Sequence, residues 1–236
     1  EKGSLFFPVS ECVCEIIKQA RKDDAQIIIG IDAALAWPVK FVKLVNSAPA
    51  ADHLPNFKPD GAINNPYLYR ETERFIKKNV MTVAKDKSPL TAPGDKFGNN
   101  SSKGQVLVAW FKGECGKELY RPPFDEWNQD KAKKAKYTLL EVYPAASMKS
   151  EEFRKLNWPN NETSNETSME NLGKGDIADA KRAAMTCVCY AATVGKINGD
   201  YPTVHAPSDA DSKKYNLETI KKEGWIFSPK VKKGSK

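Results

Sequence analysis

Histidine is scarce in this 236-residue chain, with two copies, and no apolar run approaches the roughly 18 residues that a membrane-spanning helix needs. The longest, residues 27–35 with Asp32 inside it, has the length of a strand. No secretory leader pattern stands at the start, so the expectation is a cytoplasmic protein with no membrane association. The first residue is Glu1 rather than methionine, as in a trimmed or partial product. Cysteine is also sparse and odd in number: Cys12, Cys14, Cys115, Cys187 and Cys189. None has C-x-x-C spacing, and His53 and His205 stand apart, which argues against a disulfide framework and a zinc site. Buried thiols in a reducing compartment follow, and the sequons at Asn99, Asn100, Asn161 and Asn165 then mark only polar loops. Neither G-x-S-x-G nor a P-loop occurs, which removes two common catalytic settings.

The formal charge is +7. Excess lysine and arginine favour partners that carry phosphate, although a lysine-solubilised surface accounts for the same number. Lys131, Lys133, Lys134 and Lys136 form one cluster; Lys230, Lys232, Lys233 and Lys236 form a terminal one that reads as a solvated tail.

Residues 4–8 read as a short strand and 10–22 as a helix with Ser10 as N-cap. Residues 26–31, QIIIGI, read as a strand buried on both faces of a parallel sheet, so the three pieces make a βαβ unit. A helix over 66–79 opens near Pro66, and turn chemistry across 85–103 predicts a surface loop. Residues 105–111 fit a strand or a helix. A strand over 137–143 stops at Pro144, a short helix spans 147–156, and the doubled NETS is loop. The longest helix runs over 176–194 with a small-residue face, and 217–229 gives a helical turn and an apolar piece.

Three places bring carboxylates to positions where parallel sheets bind ligands. Asp32 ends the strand IIIGI, Glu141 lies late in YTLLEV, and Asp176 and Asp179 share one face at the start of the long helix. Singly, each acid fits a turn or cap, and Asp176 as N-cap is a complete alternative. Together they offer what a hard divalent cation requires, and two such ions about 3.5–4 Å apart can cleave a phosphodiester.

IGIDAALAWP, NPYLYRETERFI, LLEVYPAA, DIADAKRAAMTC and EGWIFSP, in that order over residues 26–229, resemble blocks of the family called domain of unknown function 429, a predicted RNase H-like nuclease family. The resemblance implies one α/β domain over residues 1–236, an RNase H-like mixed sheet flanked by helices, with long loop insertions at 33–65, 85–103 and 157–175. It implies that Asp32, Glu141, Asp176 and Asp179 are the catalytic acids, with Asp32, Asp179 and Glu141 on Mg²⁺ or Mn²⁺. Arg70, Glu73 and Arg74 form a polar signature beside them. Arg70 and Arg74, one turn apart, could meet a phosphate of nucleic acid, or Arg70 could form a structural ion pair with Glu73. Ala34 replaces the family's proline. In such folds an earlier hairpin carries a first acid as G-x-D, whereas this chain starts at what resembles the third strand. The chain is therefore a fragment or its site is incomplete.

The leading expectation is a metal-dependent nuclease acting on DNA or RNA. Two alternatives stand beside it: a non-catalytic nucleic-acid- or protein-binding module, and a small-molecule phosphohydrolase.

Overall fold

The computed structural model describes residues 7–47, 62–82, 89, 91–93, 95–159 and 167–231. Its strands are β1 (Ile27–Ile31), β2 (Leu119–Tyr120), β3 (Tyr137–Val142), β4 (Asn157–Trp158), β5 (Thr167–Ser168) and β6 (Ile226–Phe227). Its helices are α1 (Phe7–Lys22), α2 (Val39–Asn46), α3 (Glu71–Asn79), α4 (Asp95–Cys115), α5 (Gln129–Lys134), α6 (Pro144–Ser147), α7 (Glu151–Lys155), α8 (Asp176–Thr193) and α9 (Leu217–Glu223).

β3 is the axis of the four-stranded central sheet, and every pairing in that sheet is parallel. β1 runs along one side of it in the register Ile27↔Tyr137 to Ile31↔Glu141. On the other side β2 pairs with its start and β6 with its end. β4 and β5 form a separate antiparallel ribbon. Among the described residues no helix is long and apolar enough to cross a membrane.

Side chains alternate along a strand, and β3 sends them into two different cores. Leu140 and Val142 join Ala183, Cys187 and Tyr190 of α8, together with Phe227. Tyr137 and Leu139 join Ile17 of α1 and Phe111 and Cys115 of α4. β1 follows the same parity: Ile28 packs with the α8 side, and Ile27, Ile29 and Ile31 with the α1–α4 side. The fold is thus a helix–sheet–helix sandwich with β3 wholly buried.

Several expectations need correction. Phe7 and Pro8 belong to α1, so Ser10 is interior to that helix rather than its cap; residues 4–6 lie outside the described residues. No strand precedes α1 among the described residues, and the βαβ unit is not seen there. Residues 66–68 form a turn, and α3 starts only at Glu71. The loop predicted over 85–103 is helical from Asp95, and the ambiguous 105–111 belongs to the same helix. Gly104 explains part of that outcome. A Cβ there would sit 3.2 Å from the Ala34 carbonyl oxygen, so glycine lets α4 lie against the chain that follows β1. The insertion at 33–65 contains α2, and that at 157–175 contains the ribbon strands. The helix over 147–156 is two helices, α6 and α7, with Ser150 capping the second through Phe153 N–H.

Gly30 sets the depth at which α8 sits. A Cβ at this position would stand 2.7 Å from Cys187 Sγ and 3.4 Å from the Ala183 carbonyl oxygen. Gly30→Ala is therefore expected to cost about 1–3 kcal/mol in denaturant unfolding, through overpacking. Adding Cys187→Ala should return part of that loss; strict additivity of the two changes would show that the contact is not the cause.

Candidate active site

The carboxyl ends of β1 and β3 open into a recess of about 80 Å³ whose lining includes Asp32, Glu141, Arg70, Glu73 and Tyr143. That volume is room for a few water molecules or an ion with its waters, not for a substrate.

Arg70 occupies its wall and is 1% exposed. Nε donates to Glu73 Oε1 at 2.7 Å, and Nη1 donates to Glu141 Oε2 and to the Glu223 carbonyl, each at 2.8 Å. Nη2 donates to Glu73 Oε1 and Glu141 Oε1. All five guanidinium donors are thereby engaged. Burial alone would lower the Arg70 pKa, but Glu141 and Glu73 outweigh it and hold the group firmly charged. Burial pushes Glu73 up, against the pull of Arg70. Arg70 therefore forms the structural ion pair and has no donor left for a phosphate. Arg74 points elsewhere, pairing with Glu71 at 3.3 Å.

Glu141 is correspondingly committed. Both its oxygens face Arg70, and Oε2 also accepts the Leu35 N–H at 3.0 Å. Its place on β3 opposite Ile31 puts it on the α1–α4 parity, away from Leu140 and Val142. Asp32, two residues beyond Gly30, falls on the α8 parity.

Asp179 reaches the same end of the sheet from the first turn of α8. Arg182 orients it, with Nη1 3.1 Å from Oδ1, while the rest of that guanidinium donates to the Met169 and Gly173 carbonyls. Asp176 is exposed and is the first helical residue; the N-cap is Gly175, at φ 111°. Asp32, unlike Glu73, Glu141 and Asp179, has no cationic partner among the described residues. Its pKa is raised to about 6 by crowding against protein atoms, then by Asp179 and Glu141. Water still reaches its outer face, which tempers the first cause more than the other two. Tyr143 is pushed up by burial and by Asp32.

Among the described residues no group of three His, Cys, Asp or Glu side chains stands ready to hold a metal ion. Asp179 is not part of the recess lining but lies near enough to Asp32 to hinder its ionisation; Mg²⁺ commonly takes one or two carboxylates and completes its shell with water.

Glu223 opens the block EGWIFSP, but the sequence gave it no role. It sits in a lysine-flanked stretch that reads as solvated, yet it is 2% exposed. Its carboxylate accepts the Val39 N–H at 2.7 Å and the Glu71 N–H at 2.8 Å. Arg182 was legible only as an i,i+3 partner of Asp179. Of the basic cluster, Lys131, Lys134 and Lys136 line a separate groove of about 750 Å³ beside β2. The terminal cluster lies outside the described residues except for Lys230, which pairs with Asp209 at 3.1 Å. A scan against protein-family models gives no match, and searches of curated proteins and of solved structures give none either.

Two outcomes follow. Arg70→Leu leaves two buried carboxylates without their cation and should destabilise the fold by about 3–5 kcal/mol in denaturant titration. Adding Glu141→Gln and Glu73→Gln should restore a large part. Asp32→Asn acts in the opposite direction. Between about pH 4 and 6 the folded chain holds a proton that the unfolded chain has released. Ionising Asp32 therefore lowers stability as pH rises through that window, and the cost is full above it. Without divalent metal, Asp32→Asn should be more stable than the parent at neutral pH by about 1 kcal/mol, allowing for solvent screening. The gain should vanish near pH 4, as thermal melts across the pH range would record.

Proposed function

We propose that this chain is an RNase H-like, metal-dependent hydrolase of nucleic acid phosphodiesters, with Asp32 and Asp179 holding the cation. One observation carries the reading: Asp32 is a solvent-reached carboxylate at the carboxyl edge of a parallel sheet, without a cationic partner among the described residues, and made harder to ionise by crowding against protein atoms, then by Asp179 and Glu141. An acid kept at such a cost to the fold is a common signature of a functional site. The five sequence blocks and the adjacent, parallel β1 and β3 with α8 against β1 support the same reading.

Bound there, Mg²⁺ or Mn²⁺ would supply a water of lowered pKa and positive charge opposite the phosphodiester. The chain's own residues do the rest. Asp32 presents an ionised oxygen above about pH 6. Arg182 fixes the rotamer of Asp179. Arg70, through Glu141, holds Leu35 N–H and with it the segment that follows Asp32. In this reading Glu141 serves as an orienting group, and Asp176 adds negative potential at the rim.

A second reading, a non-catalytic nucleic-acid-binding module, draws on the same Glu141. With both of its oxygens committed, two acids remain to do the work of three.

The test measures cleavage of single- and double-stranded DNA and RNA with Mg²⁺, Mn²⁺ or chelator, beside Mn²⁺ binding by paramagnetic relaxation. Metal-dependent cleavage should be lost in Asp32→Asn, whose fold persists. Mn²⁺ affinity should fall as pH drops through about 6, because protonation removes the ligand charge. Mn²⁺ binding unchanged in Asp32→Asn would sink the site. Absence of cleavage together with retained, salt-sensitive nucleic-acid binding would favour the module.

A further inference from the structure

β1 lies at the rim of the central sheet and, among the described residues, pairs only with β3. The Ile27 N–H donates to the Lys136 carbonyl at 2.9 Å, so the odd-numbered residues of β1 direct their peptide groups at β3. The N–H and C=O groups of Ile28 and Gly30 therefore face outward, with no ladder partner among the described residues. Edge strands in native proteins carry lysine, proline or a bulge that discourages pairing. β1 carries none of these: it is four isoleucines and a glycine, the composition of a strand with a neighbour on both sides.

A groove of about 670 Å³ runs along this edge. Ile28 and Gly30 line it from the sheet, and Ala180, Ala184 and Val188 from α8. Its middle is uncharged. At its amino end Lys196 donates to neutral acceptors, the Gln26 side chain and the carbonyls of Lys133 and Ala135, so among the described residues its charge has no acid opposite it.

We propose that the open edge of β1 is a docking site for an extended polypeptide strand. The occupant lies parallel to β1, as every ladder in this sheet is parallel. It spans about five residues, or roughly 17 Å, to match β1. Its side chains toward α8 are small and apolar, to fit the alanine wall, and an acidic residue at its amino end answers the charge of Lys196 through space, the three ammonium donors being already engaged. Main-chain hydrogen bonds to Ile28 and Gly30 supply the affinity, and the groove supplies the selectivity. The proposal stands apart from the metal reading, because none of its contacts involves a carboxylate of the site.

Amide hydrogen exchange by NMR tests it, with acetyl-Glu-Val-Val-Ala-Val-Val-amide as the probe. The Ile28 and Gly30 amides should exchange fast in the free protein and at least about tenfold slower with saturating peptide, while Ile29 stays protected throughout. Ile28→Pro removes a donor that faces the groove and leaves the β3 ladder intact, so the fold should persist and peptide protection should be lost. A peptide with lysine in place of glutamate should bind several-fold more weakly. Unchanged exchange at Ile28 and Gly30 with peptide overturns the proposal, as does equal peptide binding by Ile28→Pro. Slow exchange without peptide, together with a solution mass of twice 26.3 kDa, overturns it in favour of a second copy as the occupant.

Discussion

The Arg70 guanidinium is the interaction on which the rest depends. It stands between Glu73 and Glu141, two carboxylates that would otherwise face each other in the protein interior. Ion pairs at such depth gain little net stability over apolar packing, and their use lies in fixing one arrangement. Arg70 does so for four pieces of chain. Glu73 belongs to α3, Glu141 to β3, the Glu223 carbonyl to the end of α9, and Leu35, held through Glu141, to the segment after β1. The Glu223 side chain extends the clamp by accepting the Val39 and Glu71 N–H groups. The chain leaving Asp32 is therefore pinned at residues 35 and 39.

That clamp divides the acids at this end of the sheet into two kinds. Glu73, Glu141 and Glu223 are buried and saturated with donors, so their charges hold the fold together. Asp32 lies on the other parity of the sheet, facing α8, while Asp179 belongs to the first turn of that helix, and of the two only Asp179 has a cation beside it among the described residues. The difference follows from the period of two along a strand. Glu141, between Leu140 and Val142, must turn to the α1–α4 side, while Asp32, in step with Ile28 and Gly30, turns to the α8 side. Asp32 and Glu141, which look equivalent along the sequence, are thus sorted by backbone geometry before any chemistry is asked of them.

The central sheet was legible because QIIIGI and YTLLEV have the uninterrupted apolar character of interior parallel strands, and α8 because its alanines and cysteines repeat at helical spacing. Those two elements also carry Asp32 and Asp179, which are near enough for Asp179 to hinder the ionisation of Asp32. What could not be read were the outcomes decided by tertiary contacts. DKFGNNSSKG has the composition of a loop, yet it becomes the first half of α4. Ser101 Oγ donates to the Ala92 carbonyl there, and Gly104 admits the helix against Ala33 and Ala34. Propensity is a weak prior against such packing. Arg70 was ambiguous for a related reason: its spacing to Arg74 suits a shared anion, and only the long-range partners Glu141 and Glu223 decide otherwise. Glu223 itself, 82 residues from Glu141 in sequence, opens the block EGWIFSP, but nothing local told of its burial or its two backbone partners.

The two unmet demands of this structure sit on the same strand. Among the described residues, β1 presents at its carboxyl end a carboxylate without a cation, and along its outer edge peptide groups without a ladder partner. Gly30 links them, because the close approach it permits fixes α8 over the strand, bringing Asp179 toward Asp32 and Ala180 and Ala184 beside the edge. An ordinary solvent-facing helix surface would carry lysine and glutamate at those two positions, since nothing there would restrict side-chain length. Alanine instead leaves room for a backbone. A strand seated in that room would lower the exposure of the isoleucines and shield the acids from one side, strengthening every electrostatic interaction at the recess. The position of Asp179 relative to Asp32 and the space beside Ile28 are thus both set by how closely Gly30 lets α8 approach β1.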